Sequence, residues 1–277
     1  MAGWSRAARA VLVAAVGMIL TSSARADEAV LLHAAGSLRG ALGEIADAFT
    51  AESGFKVEAK YGPSGVLRDE IAAGSRAQVF ASANMEHPQS LAAAGKGSPV
   101  VMFARNRLCA LVRPGLSVTP ETLLETMLRD DVRLGTSTPK ADPAGDYAFA
   151  VFARADAVQG GSRKTLEQKA QQLAGGPSSA PGPAGRSVYG WHVAEGRADI
   201  FLTYCTGALV AQRENAGQQI VALPEPLAVG ADYGMTVMKG SPPAADRLAQ
   251  FIISSQGRQI LAKHGFAAPA SGQGEPK

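Results

Sequence analysis

Extended and helical patterns alternate along almost the whole chain, and this alternation limits the fold more than any other property of the sequence. Residues 29–35 are a short apolar run. After a small-residue turn, Leu38, Ala41, Leu42, Ile45 and Phe49 repeat at the 3.6-residue spacing of one helix face. Extended patterns recur at 55–61, 78–83, 99–104 and 107–112, and helical ones at 66–73 and 86–94, with Gly54, Gly74 and Gly95 as stops. A second block has helices at 119–129, 147–155, 163–173, 187–195 and 206–215, and strands at 132–137, 199–204 and 219–223. Residues 232–238 return extended, and an amphipathic helix over 243–263 is broken near Gly257. Such alternation predicts an α/β protein whose mostly parallel sheets are flanked by helices. The chain divides into two lobes, 27–111 plus 225–277 and 112–224. A cleft between lobes of this kind gathers strand ends and helix starts, which is where open α/β sheets bind ligands.

The first segment is read separately. Residues 1–9 are basic, 10–20 are apolar, and Ala24–Arg–Ala26 has the small-x-small form of a cleavage site, so 1–26 reads as a secretory signal. It contains three arginines and no acid, and its removal leaves 24 basic and 24 acidic residues. A mature chain near neutrality gives no reason to expect nucleic acid or a membrane surface as partner. No later run is long enough to span a bilayer. The reading is an exported, periplasmic chain, without membrane insertion after cleavage and monomeric.

The two cysteines, Cys109 and Cys205, form an even pair in an oxidising compartment and are expected to bridge. The four histidines are scattered at 33, 87, 192 and 264, which argues against a zinc centre. Residues 175–185 carry repeated Gly and Pro breaks and are expected to be a surface loop.

The strand-to-helix junctions carry the chemistry. Ser37 follows the first strand and is placed to cap the first helix, and Ser64 opens the second. In the second lobe Ala144–Gly145 starts one helix, Ser187–Val188–Tyr189 another, and Tyr204 ends a strand just before a third. All are hydroxyls or free backbone N–H groups at positive helix ends, a natural seat for a small anion. None is Lys, Arg, Asp or Glu, apart from Asp142 and Asp146 flanking one loop. The cleft is therefore expected to lack an acceptor for a ligand proton and to prefer fully deprotonated dianions. Arg39, Arg68 and Lys140 are read as solvated helix faces, and His33 as a core histidine.

Several motifs in order resemble periplasmic molybdate-binding proteins of ABC importers: Ala34–Ala–Gly–Ser37–Leu38, Gly62–Pro–Ser64–Gly–Val–Leu67, Ile71–Ala–Ala–Gly74, Val79–Phe–Ala–Ser–Ala83, Asp142–Pro–Ala–Gly145 and Gln259–Ile–Leu–Ala–Lys–His–Gly–Phe266. The resemblance covers 27–266. It implies a two-lobe, type II-like periplasmic binding protein that takes molybdate or tungstate to a membrane permease, without a cofactor and without catalysis. It also implies that Ser37, Ser64, the Ala144 and Val188 N–H groups and the Tyr204 hydroxyl hold the anion, with no protein-coordinated metal cation.

Two other readings stand beside it. Tyr61, Tyr147, Tyr189 and Tyr204, with Asp142 or Asp146, would suit ferric iron, a hard cation. A serine hydrolase is the weaker alternative, because Gly62–Pro–Ser64–Gly65 is followed by Val66 and so breaks the G-x-S-x-G pattern.

Overall fold

The structure is a computed structural model and describes residues 29–269. The expected signal segment 1–26 and the end of the C-terminal tail lie outside the described residues. The first part of the chain contains β1 (Val30–Ala35), α1 (Arg39–Ser53), β2 (Val57–Gly62), α2 (Ser64–Ala72), β3 (Val79–Ser82), α3 (Glu86–Ala93) and β4 (Val101–Val112). It continues with α4 (Leu123–Leu128), β5 (Leu134–Ser137), α5 (Pro143–Val158), α6 (Ser162–Lys169), β6 (Gln171–Ala174) and α7 (Val188–Ala194). The last elements are β7 (Ile200–Tyr204), α8 (Cys205–Glu214), β8 (Gln219–Ala222), β9 (Gly230–Val237), α9 (Pro243–Ile253) and α10 (Ser255–Lys263).

The strand order is β2-β1-β3-β9-β4-β7-β5-β6, with β8 also on β4. β1 is parallel to β2 and β3, and β5 is parallel to β6 and β7. The long strand β4 joins these groups. Its residues Val101–Arg107 run antiparallel to β9, and Leu108–Val112 run antiparallel to β7 and β8. Two parallel α/β groups thus share one strand, and their C-terminal strand ends face a common cleft.

Several boundaries differ from the sequence reading, each for a local reason. The two strands expected at 99–104 and 107–112 are the single strand β4. No Gly or Pro interrupts Val101–Val112, and Arg105, Asn106 and Arg107 alternate exposed, buried, exposed. The helix expected at 163–173 stops at Lys169, and Gln171–Ala174 pairs instead with β5, a tertiary partner that local periodicity does not show. The helix expected from 119 begins only at Leu123. Thr119 and Thr122 each accept the other's backbone N–H, at 3.3 and 2.9 Å, which holds a turn in place of helix. The break in 243–263 falls at Ser254, whose hydroxyl caps α10 by accepting the Gly257 N–H at 3.2 Å.

The main core runs through both groups, from α1, α9 and α10 on the first, where Phe49 meets Phe251 edge to face at 5.7 Å, to α5 with Val151 and Phe152 on the second. In the second group Asp199 is 2% exposed and accepts from both Arg113 and Arg133, at 2.7 Å from Arg113 Nε, and from the Arg133 N–H at 2.8 Å. Hydrogen bonds from Arg133 hold its carboxyl down at about 2, against the opposing effect of burial. Cys109 on β4 and Cys205 at the first position of α8 form the expected disulfide, with a Cα–Cα distance of 4.9 Å.

Candidate functional site

A cavity of about 370 Å³ opens where the β1–α1 and β2–α2 turns face the start of α7, the end of β7 and the segment 174–182. Ser37, Ser64, Val188 and Tyr204 all line it, together with Tyr61, Tyr189, Arg39 and Asp142. Ala144 does not.

The first wall presents two oriented hydroxyls. Ser37 sits in a single 3-10 turn, Gly36–Leu38, and caps no helix, contrary to the sequence reading. The residue before α1 is Leu38, in helical conformation, and the Ser37 hydroxyl turns instead to Tyr233 Oη on β9, at 3.0 Å. The direction of that bond can be traced. Asn106 Oδ1 accepts the Arg107 N–H at 2.9 Å, so its amide Nδ2 faces Thr206 Oγ1 at 2.8 Å and Tyr233 Oη at 3.3 Å. Tyr233 Oη accepts from Asn106 and among the described residues has only Ser37 Oγ to receive its own proton, so it donates there and leaves the Ser37 proton for the cavity. Ser64 is the first residue of α2, is 1% exposed, and accepts the Ala83 N–H at 3.1 Å, so its proton is free as well. Tyr204 Oη lies 3.4 Å from the Ala83 carbonyl, to which it donates.

The second wall is built from backbone and one carboxylate. Asp142 caps α5, its Oδ1 accepting the Ala144 N–H at 3.1 Å, and Pro143 takes the first helical position. Ala144 is fully buried, and its N–H already has an acceptor inside the protein. Val188 is the first residue of α7, where an N–H has no intrahelical partner, and Ser187 caps that helix by accepting the Gly190 N–H at 3.2 Å. Asp142 corrects the expectation of a cleft without an acceptor for a ligand proton, because it lines the cavity. Burial pushes its carboxyl above the usual value, against the pull of the Ala144 N–H. The walls meet where the Gly65 N–H donates to the Ala141 carbonyl at 2.9 Å and where the Tyr204 hydroxyl donates to the Ala83 carbonyl at 3.4 Å.

The sequence pattern of the bacterial extracellular solute-binding proteins matches residues 30–267. The chain belongs to that family. An uncharacterised protein of Pasteurella multocida is 35% identical over 201 residues, which is 72% of this chain and 83% of that one. The Escherichia coli molybdate-binding protein ModA is 25% identical over 264 residues, 91% of this chain and 95% of ModA. Among solved structures, the periplasmic molybdate-binding protein of Azotobacter vinelandii superposes with a TM-score of 0.70 at 18% identity, over 87% of this chain and all of that one. The sulfate-binding protein SubI of Mycobacterium tuberculosis superposes with a TM-score of 0.69 at 17% identity, over 88% of each chain. The fold is thus shared by proteins named for different solutes.

Within this solute-binding fold, three of the four tyrosines considered for iron, Tyr61, Tyr189 and Tyr204, line the cavity, and Tyr147 does not. Burial raises the phenols of all four above their usual value, so they are neutral in the metal-free cleft. No histidine lines the cavity, so Ser37 and Ser64 have no adjacent imidazole base. ModA and the two solved neighbours are each named as binding proteins.

Arg39 is exposed as expected of a solvated face, yet it also lines the cavity and lies over the Tyr61 ring, 4.7 Å from its centroid. Arg68 and Lys140 do not line it. Sequence reasoning missed Tyr233, Asn106 and Ala83, which orient the hydroxyls. Tyr233 is 196 residues from Ser37, and no local pattern links the two.

Proposed function

We propose that this exported solute-binding protein captures a tetrahedral oxyanion, molybdate or tungstate, and delivers it to the permease of an ABC transporter. The observation that carries the reading is the convergence of Ser37 and Ser64 on one cavity, each hydroxyl accepting from inside the protein and so left to donate outward. The Val188 N–H adds a donor from the opposite wall, and the Tyr204 hydroxyl joins it on turning its proton from the Ala83 carbonyl to the ligand. Hydrogen bonds to a charged group contribute about 1.5–3 kcal/mol each, so a few converging donors suffice for useful affinity. Ala144 would join the set only if its N–H were shared between Asp142 and the ligand.

The resemblance to ModA supports molybdate in particular. The signal at 1–26, the periplasmic location, the monomeric state and the lobe limits belong to this reading. The exchange of β4 partners after Arg107 supports a two-lobe division. The ligand is cargo, and no cofactor is called for.

Calorimetry of the mature protein against molybdate, tungstate, sulfate and phosphate tests the proposal. Molybdate and tungstate should bind tightest, separated from the smaller sulfate by size. Sulfate binding as tightly as molybdate would remove the size-based choice, and heat with none of the four would end the oxyanion reading.

A further inference from the structure

Among the described residues, Asp142 and Arg39 are the two charged side chains that line the cavity, and Asp142 is the negative one. Its Oδ1 accepts the Ala144 N–H, while Oδ2 accepts no protein hydrogen bond among the described residues. Gly175, itself a cavity-lining residue at φ +74°, packs directly on the carboxylate: a Cβ there would collide first with Asp142 Oδ2, and would lie 2.5 Å from its Cβ and 2.9 Å from its Cγ. The carboxylate is therefore confined to the cavity edge.

The groups that face it are nearly all neutral. Ser137 on β5 is fully buried, and its hydroxyl favours the charged forms of both Asp142 and Tyr189 while making no hydrogen bond of good geometry. Tyr189 on α7 and Tyr204 at the end of β7 contribute phenols. Asp146, one turn along α5, adds a second negative charge, and its own Oδ1 accepts the Lys140 N–H at 2.8 Å. Arg39 is across the cavity, over Tyr61. Among the described residues no cation pairs with the Asp142 carboxylate.

An anion brought against an ionised carboxylate of this kind meets a like charge in a poorly solvated place, which is strongly unfavourable. One shared proton removes the repulsion and turns Oδ2 into a hydrogen-bond partner. Resting on the oxyanion reading above, we infer that Asp142 makes capture proton-coupled: the complex holds one proton between Asp142 Oδ2 and an oxygen of the anion. A ligand that arrives fully deprotonated takes this proton from solvent, so a dianion, one proton and the ionised site combine. A ligand that already carries a proton, such as hydrogenphosphate, supplies it. Asp142 thus determines specificity by protonation state as well as size.

The test is calorimetry with sodium molybdate, and with phosphate as second probe, in two buffers of different ionisation enthalpy. With molybdate the wild type should take up close to one proton per site, and Kd should rise about tenfold per pH unit between the carboxyl's pKa in the empty cleft and in the complex. With phosphate above neutral pH, the uptake should be close to zero. Asp142→Asn keeps a good helix cap, so it should fold. It should bind molybdate with no proton uptake and a flat Kd against pH.

Molybdate binding by the wild type without proton uptake would overturn the inference and leave the oxyanion reading intact. Uptake that persists in Asp142→Asn would do the same, since another group would then carry the proton. No heat with molybdate or phosphate in either protein would overturn both.

Discussion

The two walls of the cleft solve the same problem with different parts. The first wall offers side-chain hydroxyls, Ser37 and Ser64, whose protons are aimed by donors behind them, Tyr233 and the Ala83 N–H. The second offers the Val188 N–H at a helix start and the Asp142 carboxylate, whose cap already occupies the neighbouring Ala144 N–H. A hydroxyl can be removed by substitution, but a backbone donor cannot be removed by trimming a side chain. The contrast also explains why serines attract notice in the sequence while the opposite wall is nearly anonymous there.

The largest effect should come from detaching the second wall from the shared strand. Cys109 and Cys205 join β4 to the residue after Tyr204 across a separation of 96 residues. In the chain-entropy model, closing a loop of that size stabilises by on the order of 4–5 kcal/mol. Replacing both cysteines with Ala should lower stability in urea by a comparable amount. An unchanged midpoint would mean that the bridge adds nothing.

Next comes Asp199, buried under the same wall between Arg113 and Arg133. Its arginine partners are half-exposed and can turn to water, so Asp199→Ala should be destabilised at neutral pH by about 2–3 kcal/mol, the scale of its lost charged hydrogen bonds. Because its folded pKa is depressed to about 2, its contribution is complete above the unfolded carboxylate value and is lost as pH falls toward 2. Wild-type stability should decline through that window, and the decline should be shallower in Asp199→Asn. Parallel profiles would remove Asp199 from acid sensitivity.

The sharpest contrast between the walls is in binding. Ser37→Ala and Ser64→Ala should each weaken molybdate by about 1.5–3 kcal/mol, roughly ten- to a hundredfold, without additivity, since they share one ligand. Val188→Ala should change little. Val188→Pro removes the N–H at the first position of α7, where proline is tolerated and where Ser187 is already extended, so it should weaken binding while the fold persists. If the proline variant binds like wild type, the second wall contributes no backbone donor.

How much of this was legible depends on the range of the interaction. Strand–helix alternation reports local periodicity, and it placed the turns of Ser37 and Ser64, while the bridge was expected from an even pair of cysteines in an oxidising compartment. β6 escaped because its strand character comes from pairing with β5, not from its own pattern. Asp142 was visible as a residue flanking a loop, but its place in the cavity depends on the Pro143 helix start and on Gly175 closing over the carboxylate. Asn106 sits in a strand expected to be interrupted, and its amide acts only because β4 runs through.

The smallest predicted effect probes the donor behind the first wall. Tyr233→Phe keeps the ring, which packs against Phe103, Tyr204 and Phe266 with centroids 6.3, 5.6 and 5.4 Å away. Asn106 keeps Thr206 as acceptor, so no buried amide is stranded and stability should barely change. What is lost is the hydroxyl that fills the Ser37 lone pair and turns its proton outward. Without it the Ser37 proton is free to take other orientations, and the ligand must order it. A neutral hydrogen bond contributes about 0.5–1.5 kcal/mol, so molybdate affinity should fall by roughly two- to tenfold. Because Tyr233 does not line the cavity, that loss should run entirely through Ser37. The double variant with Ser37→Ala should therefore bind no worse than Ser37→Ala alone. Additive losses would show that Tyr233 acts by another route, and that the first wall is not organised by the relay from Asn106.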